Sequence, residues 1–274
     1  MVVTRFAPSP TGPLHLGHAY AAIFAHDRAR ASGGRFLLRI EDIDRQRSKP
    51  AWERACLDDL AWLGLTWDSV MRQSQRQPAY DAALDALWAR GLLYPCRCTR
   101  RDIDEALGAP QEGVLGPDGP VYPGTCRAVP LGPRPLDQHL RLNMKKAVQG
   151  LDTLFFHDDG IAVATLAAAY VDGIGDIILA RRDFGTSYHL SVVLDDAAQG
   201  VTLVTRGADL REATAIHRLL QHLLGLPVPD YLHHGLIRDD AGKRLAKRDD
   251  ARALAKYRAE GASPEDIRRM VGLG

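Results

Sequence analysis

The sequence predicts an α/β protein built on a doubly wound parallel sheet. A short apolar run, Val2 to Ala7, is followed by a broken loop, an Ala-rich stretch with helical spacing, and a second apolar run at Arg35 to Ile40. That order is a βαβ unit, which closes right-handed onto a parallel sheet. Strand-like and helical stretches then keep alternating toward the carboxyl end, and this alternation is the second observation behind the fold class.

Each element has a local reason. Pro8, Pro10, Gly12 and Pro13 break regularity after the first strand, and the helix predicted over His15 to Arg30 stops at Gly33-Gly34. Two more helices are expected, at Pro50 to Leu63 and Pro78 to Arg90. After Tyr94 the composition changes, and Gly108 to Pro135 holds many Gly and Pro with little periodicity. Strands return at Leu140 to Asn143, Leu154 to His157, Ile177 to Ala180 and Val201 to Thr205, with Tyr188 to Ala198 helical between the last two. Glu212 to Leu224 is amphipathic and ends at Gly225 and Pro227. A strand around Tyr231 to Ile237 and charged, helix-prone sequence after Asp249 complete the chain. The expected organisation is a first half of the α/β domain (1–95), an insert (96–135), a second half with a connective region (136–225), and a basic loop with a helical end segment (226–274).

Composition sets bounds on function. The 274 residues suffice for one large domain carrying a small insert. With 35 basic against 34 acidic residues the net charge is +1, so any phosphate-binding surface is a local patch rather than a whole-protein field. The amino terminus shows no secretory pattern, and the apolar stretch Ile161 to Val171 is too short to span a bilayer, so a cytoplasmic, membrane-free monomer is expected. In a reducing compartment Cys56, Cys96, Cys98 and Cys126 read as thiols or metal ligands.

Two patterns point to phosphate chemistry. The loop PSPTGPLHLGHAY places His15, Gly17 and His18 at a helix start, where free N–H groups and the helix dipole favour an anion. Gly17 admits a flat ring or a phosphate, and either histidine can donate to phosphate oxygens, although simple capping reads equally well from spacing alone. Far downstream, AGKRLAKRDD crowds Lys243, Arg244, Lys247 and Arg248 into a Gly-containing loop. Such a loop is either a solvated basic turn or a means of placing positive charge on a triphosphate. Cys96, Cys98 and Cys126 bracket the Gly/Pro-rich insert; three thiolates suit tetrahedral zinc, with Asp118 and His139 as candidates for a fourth ligand.

These residues also carry a family resemblance. His15-Leu16-Gly17-His18 resembles the "HIGH" motif of class I aminoacyl-tRNA synthetases, and Arg244-Leu245-Ala246-Lys247-Arg248 resembles their "KMSKS" loop. RFAPSPTGPLHLGHAYAA, FLLRIEDIDRQRS, GDIILARRD, SYHLSVVLDD, VTRGADLREAT and HLLGLPVPDYLHH are similar in order to the glutamyl and glutaminyl branch, across nearly the whole chain. The resemblance implies a Rossmann-type catalytic domain that uses ATP with Mg²⁺. His15, Gly17, His18 and Lys247 would border ATP, with His15, His18 and Lys247 serving catalysis. It places L-glutamate against Arg5, Ala7, Ser9, Glu41, Tyr188 and Arg206, where arginine forks suit carboxylates and an acid suits the ammonium. It makes Tyr122 the fourth ligand of a structural Zn²⁺ beside Cys96, Cys98 and Cys126. Two departures stand out: Ala246 replaces the motif's serine, and Val192 stands where an asparagine is expected, making the pocket less polar.

The chain stops at Gly274, soon after the basic loop, where full-length members carry an anticodon-binding region. That pattern resembles truncated paralogues of the branch. They activate glutamate without tRNA and attach it to the queuosine base at the wobble position of tRNA(Asp). The expected partners are therefore ATP, L-glutamate and queuosine-bearing tRNA(Asp). The alternatives are a ligase charging a tRNA 3′ end or a small acceptor, and a non-catalytic RNA- or protein-binding module.

Overall fold

The computed structural model describes residues 1–107, 115–129, 131–237 and 252–274. The chain begins with β1 (Val3–Phe6), α1 (Leu16–Ala31), β2 (Arg35–Ile40), α2 (Pro50–Trp62) and β3 (Val70–Arg72). It continues through α3 (Gln77–Ala89), β4 (Leu93–Cys96), α4 (Arg100–Ala106), β5 (Leu115–Gly116), β6 (Gly119–Pro120) and β7 (His139–Leu142). Next come α5 (Met144–Ala147), β8 (Thr153–Asp158), β9 (Ile161–Leu166), α6 (Ala167–Ala169), β10 (Ile178–Ala180) and α7 (Tyr188–Gln199). Last are β11 (Leu203–Gly207), α8 (Ala213–Leu224), β12 (Asp230–His234), α9 (Leu254–Ala259) and α10 (Pro264–Met270). Two units divide these elements: Met1–Gln75 with Gln199–Arg211 and Pro229–Gly274, and Arg76–Ala198 with Glu212–Val228.

The first unit holds the parallel sheet. β1 pairs with β2, β2 with β3, and β11 with β12, all parallel. Thr202, at the entrance to β11, joins it to β1: its N–H donates to the Val3 carbonyl at 3.0 Å, and its Oγ1 accepts from Val3 N–H at 2.9 Å. The spatial order is thus β3-β2-β1-β11-β12. The chain runs outward from β1 in one direction and later in the other, so a crevice opens at the carboxyl ends of β1 and β11.

Alternation along the strands sorts the two faces. Phe6, Phe36, Leu38 and Ile40 face one apolar core with Ala19, Ala22, Ile23, Ala25 and Ala29 of α1, Cys56 and Leu60 of α2, and Leu254 and Ile267 near the end of the chain. The small alanines let α1 lie close on the sheet, and the Thr4 hydroxyl reaches the Ala25 carbonyl at 2.8 Å. Gly34 is required where α1 turns into β2, because a Cβ there would collide with the Val2 carbonyl. The opposite face of β1 and β2 carries Arg5, Leu37 and Arg39, with Glu41 just beyond. Parallel strands covered on both faces normally read as continuous apolar runs. A fully buried Arg39 in β2 breaks that rule.

The second unit has an antiparallel sheet in the order β10-β7-β4 and the β8–β9 hairpin. α3, α7 and α8 bury Leu84, Leu87, Leu190, Val193, Ile216, Leu219, Leu220 and Leu223 against it. Each of the fully buried leucines contributes roughly 2 kcal/mol. α8 ends where Gly225 takes φ +64, a left-handed cap that glycine adopts without a Cβ penalty.

Most expected elements lie within two residues of their predicted bounds. Two shifts affect the site. The strand expected over Val201 to Thr205 is Leu203–Gly207, which puts Arg206 inside β11, and the one expected to reach Ile237 ends at His234. β3 and β4 are short strands without a clear period and were not foreseen. The apolar run from Ile161 is a hairpin strand whose Ile161 and Leu166 are solvent-exposed. No helix among the described residues is long and apolar enough to cross a membrane.

Candidate functional site

The start of α1 is closed by its own histidines. His15 is the N-cap, and its Nδ1 accepts the Gly17 N–H at 3.1 Å, while Nδ1 of His18 accepts the His15 N–H at 3.2 Å. The two rings lie 3.8 Å apart. The N–H groups of His15 and Gly17, expected to meet an anion directly, are therefore spent on imidazoles. Accepting at Nδ1 fixes the neutral tautomer of each ring with its proton on Nε2. The histidines thus replace backbone donors by side-chain donors, set at the positive end of a 16-residue helix. Ala253 forms an antiparallel bridge with His15, and Leu254 N–H donates to the Leu14 carbonyl at 2.9 Å. Lys243, Arg244, Ala246, Lys247 and Arg248 lie outside the described residues.

The first unit also gathers most of the predicted amino-acid ligands at the strand ends. Arg5 is buried in β1, and its Nη1 donates to the Thr205 carbonyl of β11 at 3.2 Å. Arg206 is equally buried; its Nε donates to Nε2 of His233, its register partner on β12, at 3.1 Å. The Arg206 guanidinium also lies 5.3 Å from the Tyr231 ring. Ala7 and Ser9 occupy the loop after β1, and Glu41 N–H closes onto the Pro8 carbonyl at 3.0 Å. Oε1 of Glu41 accepts from Nη2 of Arg39 at 3.2 Å, and Nη1 of Arg39 donates to Gln199 Oε1 at 3.3 Å.

Tyr188 belongs to the second unit, at the first residue of α7. Its ring stands 5.4 Å from His189 and 5.8 Å from His217, and those two histidines share a 3.1 Å nitrogen–nitrogen contact. Val192 is packed in that unit's apolar core. Sequence reasoning missed Arg39, His233, His189 and His217. The available signal for Arg39 was a lone charge inside the otherwise apolar FLLRI; nothing local marks the others, whose partners are distant in the chain.

The metal-ligand set comes together in the second unit. The sulfurs of Cys96, Cys98 and Cys126 all lie within 4.8 Å of one another, with Cys98 and Cys126 3.3 Å apart. The Tyr122 oxygen is 3.2 Å from the Cys98 sulfur and 3.6 Å from that of Cys96, and it accepts the Cys126 N–H at 2.8 Å. Corners of a tetrahedron around zinc, with Zn–S of about 2.3 Å, lie about 3.8 Å apart. The four atoms therefore fit one dication. Of the fallback ligands, His139 uses Nδ1 to accept the Arg182 N–H, and Asp118 lies 3.5 Å from His189; neither joins the cluster. Nε of Arg141 donates to the Cys96 sulfur at 3.3 Å, and its guanidinium covers the Tyr122 ring at 3.8 Å, supplying positive charge beside the thiols.

Titration in this cluster follows contact. Burial pushes Cys98 up to about 11. Burial also opposes ionisation of Cys126, but bonds from Tyr122 and the Arg97 backbone prevail and bring it to about 7. Burial, then its bonds to the three cysteines, hold the Tyr122 phenol protonated; a bound dication supplies the charge that draws such a proton away.

Comparison with known proteins fits this arrangement. A family model described as the catalytic domain of tRNA synthetases class I (E and Q) matches residues 1–274. The glutamyl-Q tRNA(Asp) synthetase of Rhodobacter capsulatus is 65% identical over 99% of this chain and 100% of its own length. The protein of the same name from Nocardia farcinica is 45% identical, over 97% of this chain and 82% of its own. Among solved structures, the glutamate tRNA ligase of Elizabethkingia meningosepticum in complex with its amino acid superposes with a TM-score of 0.78 at 28% identity. That match covers 99% of this chain but only 60% of the other, so the chain spans about three-fifths of that ligase. Methionyl-tRNA synthetase of Mycobacterium tuberculosis, bound by methionyl-adenylate, shares the fold alone, with a TM-score of 0.66 at 14% identity over 98% of this chain and 63% of that one. The strand order, the histidine-capped helix and these matches agree: the chain belongs to the class I tRNA synthetases of the glutamate and glutamine branch, matched through their catalytic domain along its whole length.

Proposed function

We propose that this protein activates L-glutamate with ATP, without requiring tRNA, and transfers it to the queuosine base at the wobble position of tRNA(Asp). The observation that carries this reading is the joint placement of Arg5, Glu41 and Arg206 at the strand ends beside the histidine-capped start of α1. The name of the 65% identical relative supports the acceptor.

Arg206, held by His233, and Arg5 bind the carboxylate of the glutamate side chain, and Glu41 takes the ammonium; Tyr188 is the further glutamate-binding residue that the family resemblance implies. Ala7 and Ser9 line its floor. An oxygen of the α-carboxylate then attacks the α-phosphorus of ATP in line; the bond to the β-phosphate oxygen breaks and pyrophosphate leaves. Nε2–H of His15 and His18 donate to phosphate oxygens, Gly17 lets the nucleotide approach, and Lys247 neutralises the charge developing on pyrophosphate. Mg²⁺ bound with ATP supplies further neutralisation. In the second step a hydroxyl of the queuosine cyclopentene ring attacks the acyl carbon, the acyl–phosphate bond breaks, and AMP leaves. Catalysis here is positioning and charge stabilisation, with no protein nucleophile. Cys96, Cys98, Tyr122 and Cys126 would hold zinc, which would serve to fold the insert.

The test supplies labelled glutamate and ATP with tRNA(Asp) carrying or lacking queuosine. Label confined to queuosine-bearing tRNA and recovered with the anticodon nucleoside after nuclease digestion is the expected result. Equal labelling of queuosine-free tRNA, or label recovered with the 3′-terminal adenosine, overturns the acceptor.

A further inference from the structure

We propose that Arg39 is a positioning residue for amino-acid recognition, acting through Glu41. Arg39 is fully buried in β2, among Phe36, Leu37, Leu38 and Ile40, each no more than 1% exposed. A guanidinium in such surroundings loses its hydration, and an apolar residue of similar volume generally serves a core at least as well. What the guanidinium adds is geometry. Arg39 and Glu41 lie two residues apart, on one face of the strand. The fork of Arg39 therefore reaches forward to the Glu41 carboxylate at 3.2 Å and sideways to Gln199 Oε1 at 3.3 Å. Gln199 ends α7, so the fork is anchored from outside the sheet as well as within it.

The Glu41 side chain is only 11% exposed. The guanidinium of Arg39 donates to Oε1 of Glu41, and the second anchor of the fork, on Gln199, fixes where that oxygen sits. Arg39 thereby presents an oriented anion to the substrate's ammonium without touching substrate. The inference rests on the reading of Glu41 as the ammonium partner.

The test uses the full chain in glutamate-dependent ATP–pyrophosphate exchange and compares glutamate with glutarate, which keeps both carboxylates and lacks the ammonium. Arg39→Met is expected to raise KM for glutamate at least tenfold with kcat changed less, while the inhibition constant of glutarate stays within about twofold. Arg39→Lys, which keeps charge and loses the fork, falls between Arg39→Met and the parent. Arg39→Met combined with Glu41→Gln is no worse than Glu41→Gln alone. Equal weakening of glutamate and glutarate by Arg39→Met marks a purely structural role and overturns the proposal, as does an unchanged KM for glutamate. If Arg39→Met does not fold, Gln199→Ala decides the matter: a several-fold rise in KM for glutamate alone supports the proposal, and no rise overturns it. If Glu41→Gln itself leaves the preference for glutamate over glutarate intact, the reading of Glu41 fails, a result distinct from a failure at Arg39.

Discussion

At the level of single residues, the imidazoles of His15 and His18 combine two tasks that compete for their nitrogens. Nδ1 holds the helix start and Nε2 is the atom proposed to meet phosphate, so a substitution can separate the tasks. His18→Ala is expected to cost about 1 kcal/mol of stability through the lost cap and on the order of 10²-fold in kcat through the lost donor. His18→Asn, whose amide oxygen accepts the His15 N–H, is expected to recover most of the stability in urea unfolding. Arg206→Ala is a different kind of loss, because His233 and a bound carboxylate are both left without their shared donor. It is expected to raise KM for glutamate by at least about 30-fold, from the roughly 2–5 kcal/mol such buried pairs lose on truncation, as read in pyrophosphate exchange. The sequence singles out Arg5, Glu41 and Arg206 because they fall at predicted strand ends, where open α/β sheets bind ligands, and because the family resemblance places glutamate there. His233 and Arg39 were not: each acts on another side chain rather than on substrate, and no spacing announces such a contact.

Among the elements, the insert depends most on something other than apolar packing. Tyr94, Cys96 and Tyr122 form its small core, with Cys98, Cys126 and Ile103 against them. Buried Asp176 ties it down by accepting from the Tyr94 hydroxyl at 2.5 Å and from Arg127 at 2.8 Å. Removing one metal ligand should therefore melt this element before the rest. Cys126→Ser is expected to drop bound zinc from about one per chain to near zero, measured by elemental analysis, and to expose the insert to proteolysis while glutamate activation falls less. The three clustered cysteines could be read from sequence, but a fourth candidate could not be read from spacing, and Tyr122 came only from the family resemblance. Only the folded insert separates Tyr122, aimed at the cluster, from His139 and Asp118, which are engaged elsewhere. β3 and β4 were missed for a related reason, since strands of three or four residues are too short to show a period.

Among the described residues, stability rests on a large apolar core in each unit and the small core of the insert, and two histidines tie it to pH near neutrality. His234 is held below its ordinary 6.5 by burial, partly offset by its bond to the Gly235 carbonyl. His139 is lowered as well, by burial and by Arg182. Both stay neutral in the fold while the unfolded chain takes up protons as pH falls past 6.5. Their contribution is thus complete above that pH and is lost as pH drops toward the lowered values. The urea midpoint is expected to fall between pH 7 and pH 5, and His234→Phe is expected to reduce that fall. The β1–α1–β2 start was legible because its periods are long and its breakers unambiguous. The two-unit division was not, because it joins segments far apart in the chain, which no local window samples.

That interleaving has a consequence for the timing of biosynthesis. Arg5 reaches its bond with Thr205 across 200 residues, and β1 gains its second neighbour only when Thr202 arrives. A ribosome adding roughly 5–20 residues per second spends about 10–40 s between making the two sides of the crevice. During that interval the growing chain has β1 and β2 but no Arg206, so it holds half a pocket. The two sides of the ligand-binding crevice can meet only after a further 200 residues have been made.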